Sequence, residues 1–518
     1  MKKRIIAALL ACLLLLSLAA CGGDGGSGST QIDGTGADVP LTKDDVITFM
    51  LPSSGSSPAR DDWKLFEYMA EGSGATLDLM LVPDTEAATK LPLLFAAREE
   101  LPDLMAFQTR NETFSYAGEG LIALNDLEAY MPTYNAWLSS LSDEQYEISI
   151  KNRVFADGKI YYTPGTGREG LTRMTAWLYR EDIFKKHNLA TPTTFDELYE
   201  VSKTLKELYP DSYPFCLRGG FTFINSAGSS FDKWWQSTAY YDYDDMEWRW
   251  GAMEDTTLEV IDFYKKMVDE KLMPADFDTM NFSSWQELVL TDRGFIFPAS
   301  QLYIDELNSL ASANHPGFKV QAFAAPVANA EKGIGAVSRE DIEHTGVGIP
   351  DTGNAEGIAN AAKFVDWMYT DEARELLSWG KEGETYEVVD GKRRFITDEN
   401  NTLPSTLYGF TTYGSFTRLD SEAVKAMQTE ATAETRDLVQ AHTLPYYNPG
   451  KYISFNDEEQ DAIDTYLTQV RTYTNEMLSK FVRGIEPVSS FDAFVKTLEE
   501  LGVNEVIAAY QSAYDRIG

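Results

Sequence analysis

Aromatic side chains set beside small polar residues are the strongest chemical signal in this sequence of 518 residues. Trp, Tyr and Phe rings stack on the apolar C–H faces of sugars, while a few placed polar groups bond the sugar hydroxyls. One such group lies at the end of a predicted strand and comprises Phe107, Gln108 and Arg110. Ligands of open α/β sheets bind beyond the carboxyl ends of strands, so this group is a candidate binding segment.

The other candidates for contacting a ligand lie further along the chain: Arg218, Phe221, Phe223, Trp234, Trp235, Trp285, Tyr303, Tyr408 and Phe410. Trp234, Trp235 and Trp285 stand in segments that also contain Ser, Asn and Gln. Packing in a hydrophobic core is the alternative for each aromatic residue, because most Trp and Tyr side chains of any protein serve that role.

The run Gly165-x-Gly167-x-x-Gly170 matches the dinucleotide-binding fingerprint letter for letter. That site needs the glycine turn to open a helix, with an acidic residue about twenty positions further on. Here Pro164 precedes the run, a β-like stretch follows it, and the acidic residue is missing. The glycines therefore favour a flexible joint, and residues 163–170 are the predicted hinge between two lobes.

The sequence gives little support for a metal-binding site or for a hydrolase active site. The histidines share no ligand spacing and stand at His187, His315, His344 and His442. Neither a His-Glu-x-x-His helix nor a Gly-x-Ser-x-Gly elbow occurs in the sequence. The acidic run Asp242, Asp244 and Asp245 suggests a calcium loop, but Met246 and the missing glycine break the EF-hand pattern and favour a solvated loop. We predict no catalytic residue, no metal and no cofactor.

Charge and length limit the class of protein. The formal net charge of −37 argues against a nucleic-acid partner, whose phosphates require Lys and Arg. A chain of 518 residues exceeds one typical core, so two or more domains are expected.

The first residues predict export. Lys2, Lys3 and Arg4 precede an apolar run over residues 5–18, which suits a signal peptide spanning residues 1–20. The run ends in Leu18-Ala19-Ala20-Cys21, which resembles the lipobox of bacterial lipoproteins and implies lipidation of Cys21. The alternative is removal of the signal peptide by cleavage after Ala20 without lipidation of Cys21. Residues 21–40 are rich in Gly and Ser and predict a flexible tether with a reach of about 25 Å.

These features predict a protein that is lipid-anchored on the outer face of the cytoplasmic membrane and touches the membrane only through that anchor. Cys12 would leave with the signal peptide and Cys21 would carry lipid, so Cys216 remains as the one cysteine of the folded body. A single cysteine forms neither an internal disulfide nor a thiolate metal site, and the fold must be held by packing.

Strand and helix patterns alternate along the first part of the body. Strands are predicted at residues 46–51, 76–82 and 103–107, with helices at 61–70 and 86–97 between them. This alternation is typical of βαβ units with a parallel sheet. Further along, residues 174–179 predict a strand, and Thr194 with Glu197 predicts a capping box at the start of a helix.

Four short motifs carry a family resemblance: Leu101-Pro102-Asp103-Leu104, Gly120-Leu121-Ile122-Ala123-Leu124, Asp157-Gly158-Lys159-Ile160-Tyr161 and Pro192-Thr193-Thr194-Phe195-Asp196-Glu197-Leu198. Together with residues 364–369, 379–386 and 481–517 they resemble the long lipoprotein branch of the extracellular solute-binding proteins of family 1, the sugar receptors of ABC importers. Lys381 departs from that branch, which more often has an apolar residue at this position.

The resemblance implies a two-lobe α/β periplasmic-binding-protein-like fold of type II, with the ligand held in a cleft between the lobes. We expect an N-terminal lobe of residues 41–164 plus 301–352 and a helix-rich C-terminal lobe of residues 165–300 plus 353–518. The implied function is capture of a carbohydrate, and an oligosaccharide is the expected ligand. The protein would act as a monomer and deliver the ligand to ABC permease subunits. A glycoside-cleaving lipoprotein and a surface carbohydrate-binding protein without a transport role are the alternatives.

Overall fold

The computed structural model describes residues 30–517 with internal gaps. The gaps are 54–57, 99, 108–115, 117–119, 156, 169–170, 172–174, 218–227, 232–234, 312–314, 329–332, 334, 336, 340–344, 400–401, 411–413, 448–452 and 454. Several predicted site residues lie outside the described residues: Cys21, Gln108, Arg110, Arg218, Phe221, Phe223 and Trp234. The signal peptide and the first part of the predicted tether also lie outside them.

The described strands are β1 (Val46–Ser53), β2 (Thr76–Pro83), β3 (Leu104–Phe107), β4 (Thr175–Arg180), β5 (Ala239–Asp242), β6 (Glu247–Trp250), β7 (Ile296–Ser300), β8 (Val320–Phe323), β9 (Val337–Arg339), β10 (Gly346–Gly348), β11 (Tyr386–Val389), β12 (Lys392–Phe395) and β13 (Thr443–Tyr447). The described helices are α1 (Lys64–Ser73), α2 (Asp84–Ala97), α3 (Pro132–Ser140), α4 (Asp143–Ser149), α5 (Glu181–His187), α6 (Phe195–Leu208), α7 (Gly228–Phe231), α8 (Thr256–Asp269), α9 (Phe282–Leu290), α10 (Leu302–Ala311), α11 (Ala355–Met368), α12 (Asp371–Ser378), α13 (Pro404–Leu407), α14 (Ser421–Ala426), α15 (Glu430–Ala441), α16 (Asp457–Ala462), α17 (Thr468–Val482), α18 (Phe491–Glu500) and α19 (Val503–Ile517).

The first lobe is built on a sheet of strand order β10-β3-β1-β2. Strand β1 pairs in parallel with β2 and with β3, while β10 runs antiparallel to β3. Phe49 and Leu51 of β1 are buried on one side of this sheet, against helices that include α1 and α11. The βαβ arrangement predicted from the alternating strands and helices is therefore confirmed for β1, β2 and β3.

The second lobe has a smaller sheet of order β7-β4-β8, in which both neighbours run antiparallel to β4. Alternate residues of β4 serve two cores, because successive side chains of a strand point to opposite faces. Trp177 packs with Phe215, whereas Leu178 packs with Phe297. Helices α8, α17, α18 and α19 cover the Trp177 side.

The predicted lobe boundaries after residue 300 are wrong for several elements. Strand β8 and helix α10 were expected in the first lobe, but β8 pairs with β4 and α10 packs in the core that contains Leu178. Helices α11 and α12 were expected in the second lobe, but they bury their apolar side chains in the core of the first sheet. The apolar face of an element shows that the element is buried, but it does not identify the partner.

The end of the predicted tether is docked onto the first lobe. Thr30 donates hydrogen bonds to the carboxylate of Asp351 from its backbone N–H (3.0 Å) and from its hydroxyl. The Tyr130 hydroxyl donates to the carbonyl of Thr35 at 2.8 Å, and Ile32 packs against the first core. Residues 30–40 are therefore part of the folded body, and the prediction of a flexible coil over all of residues 21–40 is wrong at this end.

None of the helices among the described residues has the length and the apolar character needed to cross a bilayer.

Candidate ligand cleft and its crossing segments

Three stretches of chain lie side by side where the two lobes meet, and we call residues 163–167, 345–347 and 415–419 the crossing segments. The backbone N–H groups of Thr163 and Gly165 donate to the carbonyls of Val347 and Thr345, each at 2.9 Å. Thr166 joins the third segment, because its N–H donates to the carbonyl of Thr417 at 3.1 Å. The lobes are thus joined by a short strip of hydrogen-bonded backbone.

Glycine is required at two positions of this strip. A Cβ atom on Gly165 would lie 1.8 Å from the carbonyl oxygen of Ser415. Gly167 has a φ of +92°, and a Cβ there would lie 2.2 Å from the carbonyl oxygen of Leu419. The run that matches a dinucleotide fingerprint therefore allows close contact between crossing segments, and no helix begins at its described residues.

Two buried side chains support the crossing segments from the first lobe. Arg153 is fully buried, and its guanidinium donates to the carbonyls of Ser149 (2.8 Å) and Thr345 (2.9 Å). The Tyr369 hydroxyl donates to the carbonyl of Pro164 at 2.5 Å, and burial raises the pKa of Tyr369 well above its ordinary value. Neither residue was predicted from the sequence, because an isolated Arg or Tyr in an irregular stretch carries no pattern.

The sheets of both lobes end beside these crossing segments. In the first lobe, Phe107 at the carboxyl end of β3 pairs with Gly346, which belongs to the second crossing segment. In the second lobe, Thr175 at the start of β4 pairs with Ser300 at the end of β7. Leu171 precedes β4 and packs against Leu419 of the third crossing segment. The region between the two sheet ends is therefore the candidate cleft.

The Leu171 carbonyl is a second point of contact across this region. It accepts hydrogen bonds from the side-chain amides of Gln301 (3.1 Å) and Gln428 (2.5 Å). Gln301 is fully buried and directly follows β7, while Gln428 lies between α14 and α15. The chain that leaves the first crossing segment is therefore fixed to the second lobe within a few residues.

Four of the predicted ligand-contacting aromatics are core residues in this structure: Phe107, Trp235, Trp285 and Phe410 are each at most 2% exposed. The Trp235 indole N–H donates to the carbonyl of Gly251 at 3.0 Å. Trp285 has Phe297 against it at a centroid distance of 5.2 Å. These rings offer no free face to a sugar, so their assignment to the ligand site is corrected.

Tyr303 and Tyr408 are half-buried and belong to different lobes. Tyr303 packs against Phe282 and Trp285 at centroid distances of 5.2 and 5.6 Å. The Tyr408 hydroxyl donates to the carbonyl of Ile396 at 2.7 Å, and its ring lies 5.7 Å from that of Phe410. The structure therefore does not bring the described aromatic candidates together, and the cleft assignment of Tyr303 and Tyr408 stays a prediction.

The acidic run that resembled a calcium loop forms the turn between β5 and β6. The Asp242 carboxylate accepts from the backbone N–H of Asp244 at 2.9 Å, and Arg249 forms ion pairs with Asp245 and, at 2.8 Å, with Glu247. A guanidinium thus supplies the positive charge at this turn. In the part of the chain that the structure describes, no group of three or more His, Cys, Asp or Glu side chains is arranged to hold a metal ion.

The family model for bacterial extracellular solute-binding proteins matches residues 55–375 of this chain. The chain therefore belongs to the bacterial extracellular solute-binding protein family, as the sequence motifs predicted. Two relatives are known from Bacillus subtilis (strain 168). Lipoprotein LipO is 21% identical over 491 residues, covering 91% of this chain and 92% of LipO. The polygalacturonan/rhamnogalacturonan-binding protein YtcQ is 23% identical over 525 residues, covering 97% of this chain and 98% of YtcQ.

Solved structures show the same fold. The alginate-binding protein AlgQ2, in its structure without calcium ion, superposes with a TM-score of 0.70 at 21% identity, covering 92% of this chain and all of AlgQ2. The S. pneumoniae ABC-transporter substrate-binding protein FusA in complex with kestose gives a TM-score of 0.69 at 18% identity, covering 91% of this chain and 99% of FusA. The two-lobe periplasmic-binding-protein-like fold predicted from the sequence is confirmed.

Proposed function

We propose that this protein is an extracellular receptor that captures an oligosaccharide between its two lobes and delivers it to the permease subunits of an ABC importer. The observation that carries the proposal is the strip of three crossing segments, with the ends of both sheets beside it. Such a strip lets two lobes rotate toward each other while each keeps its own core. Membership of the solute-binding family supports this function.

The names of the relatives support a saccharide as the ligand class. They describe binding of polygalacturonan and rhamnogalacturonan by YtcQ, of alginate by AlgQ2 and of kestose by FusA. These ligands differ in charge and linkage but share hydroxyl-rich rings. We therefore propose an oligosaccharide as the ligand. A thermal screen of three oligosaccharides tests this ligand class.

The screen measures the melting temperature of the protein with trigalacturonate, kestose or the N-glycan Man5GlcNAc. A ligand that binds only the native state stabilises it by about 2.7 kcal/mol at a hundred times its dissociation constant. We expect at least one of the three to raise the melting temperature. If none does so at millimolar concentration, the proposed ligand class is wrong. Chromatography of the recovered sugar tests the alternative of a glycoside-cleaving protein, which would return shorter products.

We further propose that Cys21 carries the lipid anchor. The lipobox-like motif supports this, and the docking of Thr30 on Asp351 places the start of the body close to that cysteine in the chain. Replacing Cys21 with Ala should move the protein from the membrane fraction to the soluble fraction without changing its melting temperature. A membrane-bound C21A variant would contradict the proposed anchor.

A further inference from the structure

The docked segment of residues 30–40, which we call the strap, is held on the first lobe at few points. Thr30 donates to the carboxylate of Asp351, and the hydroxyl of Tyr130 donates to the carbonyl of Thr35. Among the described residues, no other strap position is hydrogen-bonded to the lobe. The strap is therefore attached at two separate places and is not paired with a strand.

Little of the strap is buried. Ile32 and Ala37 are half-buried and pack against the first core. The exposed strap residues are Gln31, Asp33, Thr35, Gly36, Asp38, Val39 and Pro40. An open space of about 470 Å³ lies between the strap and helix α11, lined by Val39 on the strap side and by Ala359 and Lys363 on the helix side. A close-packed interface would leave no space of this size, so apolar burial contributes little to docking.

The docked strap has a backbone conformation that depends on glycine. Gly34 and Gly36 have φ values of +80° and +76°, which other residues rarely adopt. The backbone N–H groups of Ala37 and Val39 donate to the carbonyls of Gly34 (3.3 Å) and Gly36 (3.1 Å). Both of these hydrogen bonds lie within the strap, so they shape it without attaching it to the lobe.

The chain is attached to the sheet directly after the strap. The backbone N–H of Thr76 donates to the carbonyl of Asp45 at 2.9 Å, and its hydroxyl donates to the carbonyl of Lys43 at 2.8 Å. The Asn360 side-chain amide donates to the Asp45 carboxylate at 2.9 Å. Strand β1 follows and pairs with β2 over its whole length. A detachment that begins at Thr30 would therefore stop before Lys43 and leave the sheet intact.

Two opposing effects set the stability of the docked strap. Ordering a segment costs conformational entropy at every residue, and the strap recovers only a few hydrogen bonds and little buried area in return. The hydrogen bonds from Thr30 to the Asp351 carboxylate are of the stronger, charge-assisted kind and favour docking. Segments with so few contacts open at a much lower free energy than the core strands of the same protein.

We propose that the strap exchanges between a docked state, which predominates, and a released state in which residues 30–40 leave the lobe while the first sheet stays folded. Release would add these residues to the linker between the first lobe and the proposed anchor at Cys21. The strap would then act as a switch of linker length. This consequence for the linker rests on the proposed anchor, whereas the exchange between the two states does not.

Hydrogen–deuterium exchange of the purified protein at low urea concentrations tests the proposal, with peptides resolved by mass spectrometry. We expect the amides of residues 30–40 to exchange through an opening that barely depends on urea, because release exposes little surface. The amides of β1 should exchange only when the lobe unfolds and should respond steeply to urea. If the strap and β1 open with the same equilibrium constant, the strap leaves the lobe only on unfolding and the proposal is wrong. If the strap amides exchange as fast as those of a free peptide, the docked state is not populated and the proposal is also wrong.

Tyr130→Phe removes the hydroxyl that binds the Thr35 carbonyl and keeps the buried ring. We expect the opening equilibrium constant of the strap to rise about fivefold, as for the loss of one hydrogen bond, with no change at β1. Tyr408→Phe is the matched control, because its hydroxyl also donates to a backbone carbonyl of the first lobe, that of Ile396, which is not a strap residue. If both variants increase strap opening equally, the attachment at Tyr130 is wrong.

Gly36→Ala is a second variant, and it acts on the strap alone. A Cβ at this position meets no atom within 4 Å, so only the strain of the positive φ remains. The opening equilibrium constant of the strap should rise about fivefold or more, and a G36A variant that opens like the parent would contradict the docked conformation. No ligand enters these measurements. Failure of the strap proposal would leave the proposed function standing, and a negative sugar screen would not change the outcome for the strap.

Discussion

Arg153 shows how one buried side chain can hold the junction between two lobes. Its guanidinium carbon lies 4.9 Å from the centre of the Tyr162 ring, and two of its nitrogens donate to backbone carbonyls. One of these carbonyls, that of Thr345, belongs to a crossing segment. A charged donor of this kind contributes more than a neutral one, and removing it leaves buried carbonyl groups unpaired.

We expect Arg153→Met to lower the free energy of unfolding by about 2–4 kcal/mol, because it removes hydrogen bonds from a fully buried charge. Denaturant unfolding measures the change. Arg60→Met is the matched control, since Arg60 pairs with Asp62 at the surface and such pairs contribute about 0–1 kcal/mol. Equal effects of the two substitutions would contradict the supporting role of Arg153.

Asp103 gives a prediction about pH. Burial raises the pKa of this carboxyl group above 3.8, although the backbone N–H of Thr48 donates to it at 2.9 Å. Because the pKa is higher in the folded state than in the unfolded state, the charged form costs stability above the folded-state pKa. That cost disappears as the pH falls below the unfolded-state pKa, where both states are protonated.

Asp103→Asn keeps a side-chain oxygen for Thr48 and removes the charge. The variant should therefore be more stable than the parent at pH 7, and the difference should shrink toward pH 3.5. Unfolding in denaturant at the two pH values measures this, with the exposed Asp61→Asn as the baseline. A variant that is less stable than the parent at pH 7 would overturn the prediction.

At the scale of strands and helices, the sequence patterns that act within a few residues predicted the local structure correctly. The predicted strands at 46–51 and 76–82 correspond to β1 and β2, and the glycine run corresponds to close backbone contacts of Gly165 and Gly167. At helix α6, Thr194 caps the N-terminus as predicted, with its hydroxyl oxygen 3.1 Å from the N–H of Glu197. The Glu197 carboxylate reaches Thr193 instead of Thr194, so the predicted capping box is only half formed.

Thr194→Ala should lower the free energy of unfolding by about 1 kcal/mol, the usual contribution of a Thr cap. Thr204→Ala in the same helix is the control. The Thr204 hydroxyl donates to the carbonyl of Glu200 at 3.1 Å within the helix, and Ala has the higher helix propensity, so this change should be neutral or slightly stabilising. If the two variants lose equal free energy of unfolding, the predicted contribution of the Thr194 cap to stability is wrong.

The sequence did not predict which lobe each helix or strand packs against. It also did not predict which aromatic residues are buried. Residue type made Trp285 and Phe410 reasonable candidates for stacking on a sugar, yet their neighbours enclose them completely. Helices α11 and α12 show apolar faces that would suit either lobe, and only the tertiary structure assigns them to the first. The role of Arg153 depends in the same way on its contact with Thr345, which is far from it in the chain.

At the scale of the whole molecule, the crossing segments should control closure. Gly165→Ala would place a Cβ against the carbonyl oxygen of Ser415 and push two crossing segments apart. We expect a lower melting temperature and a smaller ligand-induced decrease in radius of gyration, measured by small-angle scattering with whichever of the three screened sugars binds. Gly158→Ala is the control, because a Cβ there meets no atom within 4 Å and only the strain of its positive φ remains.

A parent protein whose radius of gyration stays constant with saturating sugar would contradict closure altogether. If the parent becomes more compact and G165A does so to the same extent, closure is real but does not depend on the tight contact at Gly165.

If Cys21 carries the proposed lipid anchor, the docked segment over residues 30–40 would also limit how far the protein can move from the membrane. With the proposed anchor at Cys21, the eight residues 22–29 separate the anchor from the docked segment, and their Gly- and Ser-rich sequence predicts a reach of about 14–17 Å, compared with about 25 Å for the full predicted tether. The volume available to an anchored protein varies as the cube of this reach and would fall to roughly a quarter, so the effective concentration of the protein at the proposed membrane-embedded permease would rise about fourfold. The contact between Thr30 and Asp351 would then favour productive encounters without touching either the sugar or the permease.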